Sequence, residues 1–306
     1  MALLDRAIVR VLPAVPRSVV RRISNSYIAG TTIEDAIRVV RELNEHGQMA
    51  TIDVLGEEVS GRREAAEIVR AYHDVFEAIE RERLDSNVSV KLTALGLNLA
   101  LELCRANLLR VVRHAAESGN FVRIDMEDST TTTETLELYR ELRAEGLDNV
   151  GIVLQSCLRR SLRDIHALAP LRPNVRLVQG IYIEPPLIAY RDYEEVRQNF
   201  VRCLHELLEI GSYAAIATHD QFLIDEGMRL VAERGLARER YEFQMLLGVR
   251  GFAADRLVQD GHRVRIYVPF GEHWYQYSIR RLQENPKIAG YVASDTLNRL
   301  FGADGR

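Results

Sequence analysis

Residues 87–126 read NVSVKLTALGLNLALELCRANLLRVVRHAAESGNFVRIDM. NVSVKL and FVRIDM are short runs rich in β-branched and aromatic residues. Between them ALELCRANLLRVVRHAAESG has helical period and ends on a glycine suited to a C-cap. A strand, a helix and a second strand in one stretch make the repeating unit of a parallel sheet. The same alternation continues on both sides. Further β-like runs are MATIDVL from Met49, NVGIVLQ from Asn149, NVRLVQG from Asn174, YAAIATHD from Tyr213, YEFQMLL from Tyr241 and RVRIYVPF from Arg263. Helical segments such as REAAEIVRAYHDVFEAIERER, TETLELYRELRAEG, YEEVRQNFVRCLHELLEIG and FLIDEGMRLVAERG separate them. Doubly wound sheets usually stop at about five to seven parallel strands, whereas eight units in roughly 250 residues close a barrel. The expected class is therefore α/β and the expected fold a (β/α)8, or TIM, barrel. No GxGxxG or GxxxxGK[ST] follows the first strand, so neither phosphate-binding fingerprint supports a doubly wound alternative. Residues 1–46 are expected to form an N-terminal helical arm, with one helix over Thr32–His46. Residues 47–306 are expected to form the barrel and its C-terminal helices.

Composition bounds the function. The chain has 306 residues, 47% hydrophobic and 27% charged, with 19 Gly and 8 Pro, which excludes a wholly disordered or linker-dominated chain. Its 44 acidic residues against 40 basic leave a net charge of −4, so no general nucleic-acid coat is expected. Cys104, Cys157 and Cys203 lie far apart without a CxxC pair, which points to a reducing compartment and to neither a disulfide framework nor a zinc site. No apolar run approaches the roughly 20 residues that span a bilayer, and the N-terminus lacks a signal peptide's apolar core, so a cytoplasmic location is expected. The first segment, ALLDRAIVRVLPAVPRSVVRRIS, sets Arg6, Arg10, Arg17, Arg21 and Arg22 among apolar residues with Asp5 as its one acid. It reads as a helical arm packed on the barrel or as a basic amphipathic contact with the inner face of a membrane.

In such a barrel chemistry sits at the C-terminal ends of the strands. The polar residues there are Lys91, Asp125, Glu127, Gln155, Arg176, Gln179, Tyr182, Thr218, His219, Asp220 and Tyr267. Lys91 follows VSV, so its ammonium enters the mouth and requires a carboxylate or a substrate anion. An ion pair with Asp125 bracing adjacent strands accounts for it structurally, and a carboxylate-binding cation or a Schiff-base nucleophile accounts for it functionally. Asp125 reads as a base, an orienting group or a solvated strand end. His219 reads as an acid-base group or as a helix-start donor to phosphate; scattered His and Cys residues argue against a metal. In RIYVPFGEHWYQYSIRRLQEN, residues 265–285, helical spacing sets Tyr277, Arg280, Arg281 and Glu284 on one face. In isolation this is an exposed Arg–Glu pair. Over the barrel mouth, two guanidinium groups beside a tyrosine suit bidentate recognition of a small carboxylate.

With VSVKLTALG from Val88, RIDMED, GIVLQSCLRR, RLVQGIY, ATHD, YEFQMLLGVR and RIYVPFGEHWYQYSIRRLQEN in order on successive strands, the chain resembles the monofunctional bacterial proline dehydrogenases. That resemblance implies an FAD-binding barrel whose last helix lies over the C-terminal mouth. It implies that Arg280, Arg281 and Lys91 hold the carboxylate of L-proline, with Leu246, Tyr267 and Tyr277 around the ring, Asp125 supporting Tyr267, and Glu284 steadying the cations. On the flavin side it implies Gln155, Arg176, Val178, Gly180 and Tyr182 near the isoalloxazine, and Thr218 and His219 near the ribityl and pyrophosphate portion. The implied reaction is hydride transfer from proline C5 to flavin N5, yielding Δ1-pyrroline-5-carboxylate, with electrons passed to a membrane quinone as the first step of proline catabolism. Gln179 and Ile181 stand where many relatives carry Lys and Ala. The chain ends soon after the barrel, so the second pathway step is expected of a separate pyrroline-5-carboxylate dehydrogenase. Three other readings remain at this stage: a Schiff-base aldolase using Lys91, a non-catalytic barrel that binds an amino acid through Arg280 and Arg281, and a hydroxyproline-preferring enzyme with Tyr277 near the extra hydroxyl.

Overall fold

The computed structural model describes residues 21, 24, 26–56, 59–275 and 277–279. Eight parallel strands close on themselves in sequence order. They are β1 (Met49–Val54), β2 (Ser86–Val90), β3 (Val122–Ile124), β4 (Val150–Gln155), β5 (Asn174–Val178), β6 (Tyr213–Ala217), β7 (Tyr241–Leu246) and β8 (Val264–Phe270). Helix α1 (Ile33–Glu45) precedes β1. Then α2 (Arg62–Glu82), α3 (Leu101–Glu117), α4 (Thr132–Ala144), α5 (Ser161–Leu168), α6 (Tyr193–Glu209), α7 (Gln221–Glu233) and α8 (Gly251–Gln259) connect successive strands. The ring closes where β1 pairs with β8, Ala50 against Ile266 and Ile52 against Val268.

Strands buried on both faces explain the near-continuous apolar runs, since every residue of β1 and β4 is buried. Outward residues such as Val88, Val90, Val150 and Ile152 meet the apolar helix faces, where Tyr72, Phe76, Leu108, Tyr139 and Phe200 are fully buried. Each fully buried Leu, Ile, Val or Phe contributes about 1.5–3 kcal/mol relative to exposure. Helix α1 starts at a capping box. Thr32 Oγ1 accepts from the Asp35 amide at 3.3 Å, and the Asp35 carboxylate accepts from the Thr32 amide at 3.2 Å. Its buried face, Ala36, Ile37 and Val40, joins the barrel core.

The barrel's inward face is filled differently. Arg123 of β3 donates through Nη1 to the carbonyls of Ile152 at 3.0 Å and Asn174 at 2.7 Å, and through Nη2 to the Asn174 side chain. Gly151 makes room for it: a Cβ there would lie 2.4 Å from Arg123 Nη1 and 2.7 Å from the Asn174 carbonyl. Burial, with repulsion from Arg176, pushes the Arg123 guanidinium down to about 9.

The helical backbone of 274–275 and 277–279 packs over the C-terminal ends of β1 and β7, because Tyr277 is buried with Tyr27, Ile28 and Leu55, and Leu246 and Trp274 pack against them. The rest of that segment, with Arg280, Arg281 and Glu284, lies outside the described residues, as does the basic N-terminal segment except Arg21 and Ser24. Among the described residues no helix is long and apolar enough to cross a membrane.

Candidate active site

Five strands aim polar side chains into the mouth, and four of the residues singled out from sequence meet there: Lys91, Asp125, Arg176 and Tyr267. Lys91, directly after β2, donates to Asp53 Oδ2 of β1 at 2.7 Å and to Tyr267 Oη of β8 at 3.2 Å. Its Nζ is 3.8 Å from Asp125 Oδ2. Tyr267 donates to that same Asp125 oxygen at 2.8 Å, and the other Asp125 oxygen accepts from Arg176 Nη1 at 2.6 Å. Burial, then the nearby Asp125 and Asp53 carboxylates, raise the Tyr267 hydroxyl well above its ordinary value, so it remains a donor. Its ring lies 5.3 Å from the Arg176 guanidinium carbon and 5.9 Å from Lys91 Nζ, two cations against one π-system.

Arg176 crosses the barrel interior from β5. Besides Asp125, it donates from Nη2 to Ser89 Oγ of β2 at 3.0 Å and from Nε to Gln244 Oε1 of β7 at 2.5 Å. Bonds to β2, β3 and β7 hold the planar group on three sides. Lys91 and Arg176 against Asp53 and Asp125 leave this described cluster with balanced charge, so it can sit at low exposure without a free ion.

The remaining predicted residues line the rim. Gln155 is buried and donates to the Glu127 carbonyl at 2.8 Å, while the Glu127 carboxylate accepts from the Thr93 amide at 3.0 Å and its hydroxyl at 2.5 Å. Val178, Gly180 and Tyr182 are half-buried on and after β5. Gly180 has φ +97°, and a Cβ there would lie 2.3 Å from Cys157 Sγ, so only glycine fits this approach. Burial, then Glu184, push the Cys157 thiol up to about 11, which keeps it a neutral packed group. The Glu184 carboxylate fastens this loop to Ser129 after β3, accepting from its amide at 2.7 Å and its hydroxyl at 2.5 Å.

Thr218 is buried and donates to Gln179 Oε1 at 3.3 Å. His219 Nε2 accepts from the Leu246 amide at 3.0 Å, which leaves the proton of the neutral ring on Nδ1 and ties the ends of β6 and β7 together. Asp220 is the N-cap of α7, accepting from the Phe222 amide at 3.0 Å and from Arg197 at 2.5 and 2.7 Å. Among the described residues no group of three or more His, Cys, Asp and Glu side chains is placed to hold a metal.

Sequence reasoning missed Asp53, Ser89, Glu242 and Gln244. Asp53 sits in MATIDVL in the same Ile-Asp pattern that drew notice to Asp125 in RIDMED, so its signal was present.

The proline dehydrogenase family model matches residues 36–294. The chain is 38% identical over 279 residues to the proline dehydrogenase of Deinococcus radiodurans, covering 90% of each protein. It is 37% identical over 273 residues to proline dehydrogenase 1 of Bacillus subtilis, covering 89% of this chain and 90% of the relative. The solved structure of proline utilization A (PutA) from Bdellovibrio bacteriovorus, inactivated by N-propargylglycine, superposes with a TM-score of 0.80 at 26% identity, over 93% of this chain. The chain spans 34% of that PutA, a far smaller share than it covers of the curated relatives. A family match over most of the barrel and nearly full-length likeness to two proline dehydrogenases show that this chain belongs to the proline dehydrogenase family.

Proposed function

We propose that the protein is an FAD-dependent proline dehydrogenase, an oxidoreductase acting on the CH–NH group of L-proline. The observation that carries this reading is the cross-barrel cluster Asp53–Lys91–Tyr267–Asp125–Arg176 at the strand ends of a family member. The mouth also suits a flavin. The buried Arg176 guanidinium brings positive charge to it, Thr218 and His219 give it a polar rim, and half-buried Val178 and Leu246 supply apolar surface. Gln155, Arg176, Val178, Gly180 and Tyr182 would hold the isoalloxazine, and Thr218 and His219 the ribityl and pyrophosphate portion. FAD held there would supply a two-electron acceptor for the hydride of the proline C5–H bond, and with the ring nitrogen giving up its proton to solvent the product would be Δ1-pyrroline-5-carboxylate.

The chain's own residues place the substrate. Because the Lys91 charge is already matched by Asp53 and Asp125, a proline carboxylate needs further cations. Arg280 and Arg281 are assigned that role, with Glu284 steadying them. Leu246, Tyr267 and Tyr277 shape the space for the pyrrolidine ring. Positioning and charge complementarity account for the catalysis without a covalent nucleophile. A Schiff-base role for Lys91 would require its ammonium to shed a proton beside two carboxylates, which Coulomb attraction opposes. Electrons then pass to a membrane quinone, with peripheral contact at the inner membrane face, and the product passes to a separate pyrroline-5-carboxylate dehydrogenase. The test is an absorbance spectrum of the purified protein before and after anaerobic addition of L-proline. A visible flavin band that bleaches with proline is the expected result. A colourless protein that cannot be reconstituted with FAD refutes the reading.

A further inference from the structure

Hydrogen bonds continue from Arg176 down the barrel interior. Gln244 of β7 accepts from Arg176 Nε at 2.5 Å and donates through Nε2 to Glu242, two residues earlier. Glu242 pairs with Arg265 of β8 at 3.0 Å and accepts from Tyr213 Oη at 2.9 Å. Arg265 also donates to the Ala50 carbonyl of β1 at 2.6 Å. Glu242, Gln244, Arg265 and Arg176 are all buried. Burial opposes charge on Glu242, yet the charge of Arg265 and hydrogen bonds from Arg265, Gln244 and Tyr213 hold its carboxyl down to about 2, so it is ionised.

A guanidinium only donates and an ionised carboxylate only accepts. The Gln244 carboxamide can therefore satisfy both neighbours in one orientation alone, oxygen to Arg176 and nitrogen to Glu242. The strand order gives this contact its weight. Asp125 and Ser89 hold the terminal nitrogens of Arg176 from β3 and β2, on one side of β5, whereas Gln244 holds Nε from β7, on the other. Without Gln244 the attraction of Asp125 for the guanidinium is unopposed.

We infer that Gln244, oriented by Glu242, is a positioning residue that fixes the plane of the Arg176 guanidinium and so the direction of the positive charge presented at the mouth. This rests on the proposed flavin-dependent reading, which sets Arg176 against the isoalloxazine, where a positive charge would favour the reduced ring.

The test compares wild-type, Gln244→Met and Gln244→Glu holoenzymes. It measures flavin content, the midpoint potential of the bound flavin in a proline-free reductive titration, and the rate of flavin reduction at varied proline. Gln244→Met is expected to reduce flavin about tenfold more slowly at saturating proline, as for one hydrogen bond to a charged group, with half-saturation unchanged and a more negative midpoint potential. In Gln244→Glu, the two neighbouring carboxyl groups share one proton at neutral pH, which reproduces the acceptor towards Arg176 and the donor towards Glu242. This variant is expected to match wild type near neutrality and to slow as pH rises and that proton leaves. A Gln244→Met enzyme that loses thermal stability alone, with reduction rate and potential unchanged per bound flavin, overturns the inference. Should Gln244→Met not fold, a Gln244→Glu pH profile identical to wild type overturns it equally. A wild-type protein without flavin overturns the functional reading itself, so the two failures are distinct.

Discussion

Replacing Asp53 by Asn tests the cluster at its innermost point. The side chain is fully buried, with Oδ2 2.7 Å from Lys91 Nζ, and asparagine keeps the shape and one oxygen while removing the charge. A hydrogen bond between charged groups contributes about 1.5–3 kcal/mol. Lys91 has a fallback in Asp125 Oδ2 at 3.8 Å, but that oxygen already accepts from Tyr267 at 2.8 Å, so closing the gap loosens the second contact. A net loss of about 2 kcal/mol follows, equivalent to about thirtyfold in kcat/KM if it falls wholly on the transition state. If it falls on folding instead, Tm drops by about 3 °C. Steady-state turnover with L-proline and an artificial electron acceptor, flavin content by absorbance, and calorimetry separate the two. The expected result is a large fall in kcat/KM with flavin retained. A variant within twofold of wild type in kcat/KM and unchanged in Tm would refute the claim that Asp53 holds Lys91 in place.

Arg280→Ala and Arg281→Ala should each raise the proline KM by about ten- to a hundredfold while flavin content stays constant, as for loss of a charge-assisted bond; unchanged KM in both removes the carboxylate assignment. Gly151→Ala forces Arg123 from its carbonyl partners and should cost the upper end of about 1–3 kcal/mol in urea unfolding. The control Gly61→Ala, with nothing within 4 Å of the added methyl, should cost about 1 kcal/mol or less. Stability should also fall on mild acidification through His73, which stacks on His114 with ring centroids 4.1 Å apart. Burial, then the neighbouring His114, lower His73 below its ordinary 6.5, so the unfolded chain binds the proton more readily. The stabilisation is complete above 6.5 and is lost as pH falls through the lower folded-state value. From neutral to mildly acidic pH the urea midpoint of wild type should fall relative to that of His73→Phe; parallel curves would remove His73 as the cause.

The order of the barrel was legible because each strand is buried on both faces and is written as an unbroken apolar run. β3 shows the limit: FVRIDM suggests a longer strand than the three paired residues Val122–Ile124. Lys91 was recognisable as a charge needing a partner, and the expected Asp125 does pair with it at 3.8 Å, but its hydrogen-bonded partner Asp53 was not foreseen. Asp125 was the nearer candidate along the chain, and Asp53 comes within 2.7 Å only because β1 and β2 lie side by side. Glu242 and Gln244 alternate with apolar neighbours as solvent-facing residues of a half-exposed strand would. Closure of the ring alone turns that face inward, so no local pattern separates the two cases.

The interior ladder also bears on how the barrel comes apart. Arg176 of β5 bonds to β2, β3 and β7, and Arg265 of β8 bonds back to β1, so the charged groups of one half find partners in the other. A half-barrel ending after β4 would keep Lys91 with Asp53 but leave Asp125 without its guanidinium. The complementary half would carry Arg176 with neither Asp125 nor Ser89. Each severed contact exposes a group whose solvation was given up when the ring closed. Partial unfolding along that seam is therefore penalised twice, once by lost apolar contact and once by orphaned charge, and opening of the barrel should be all-or-none.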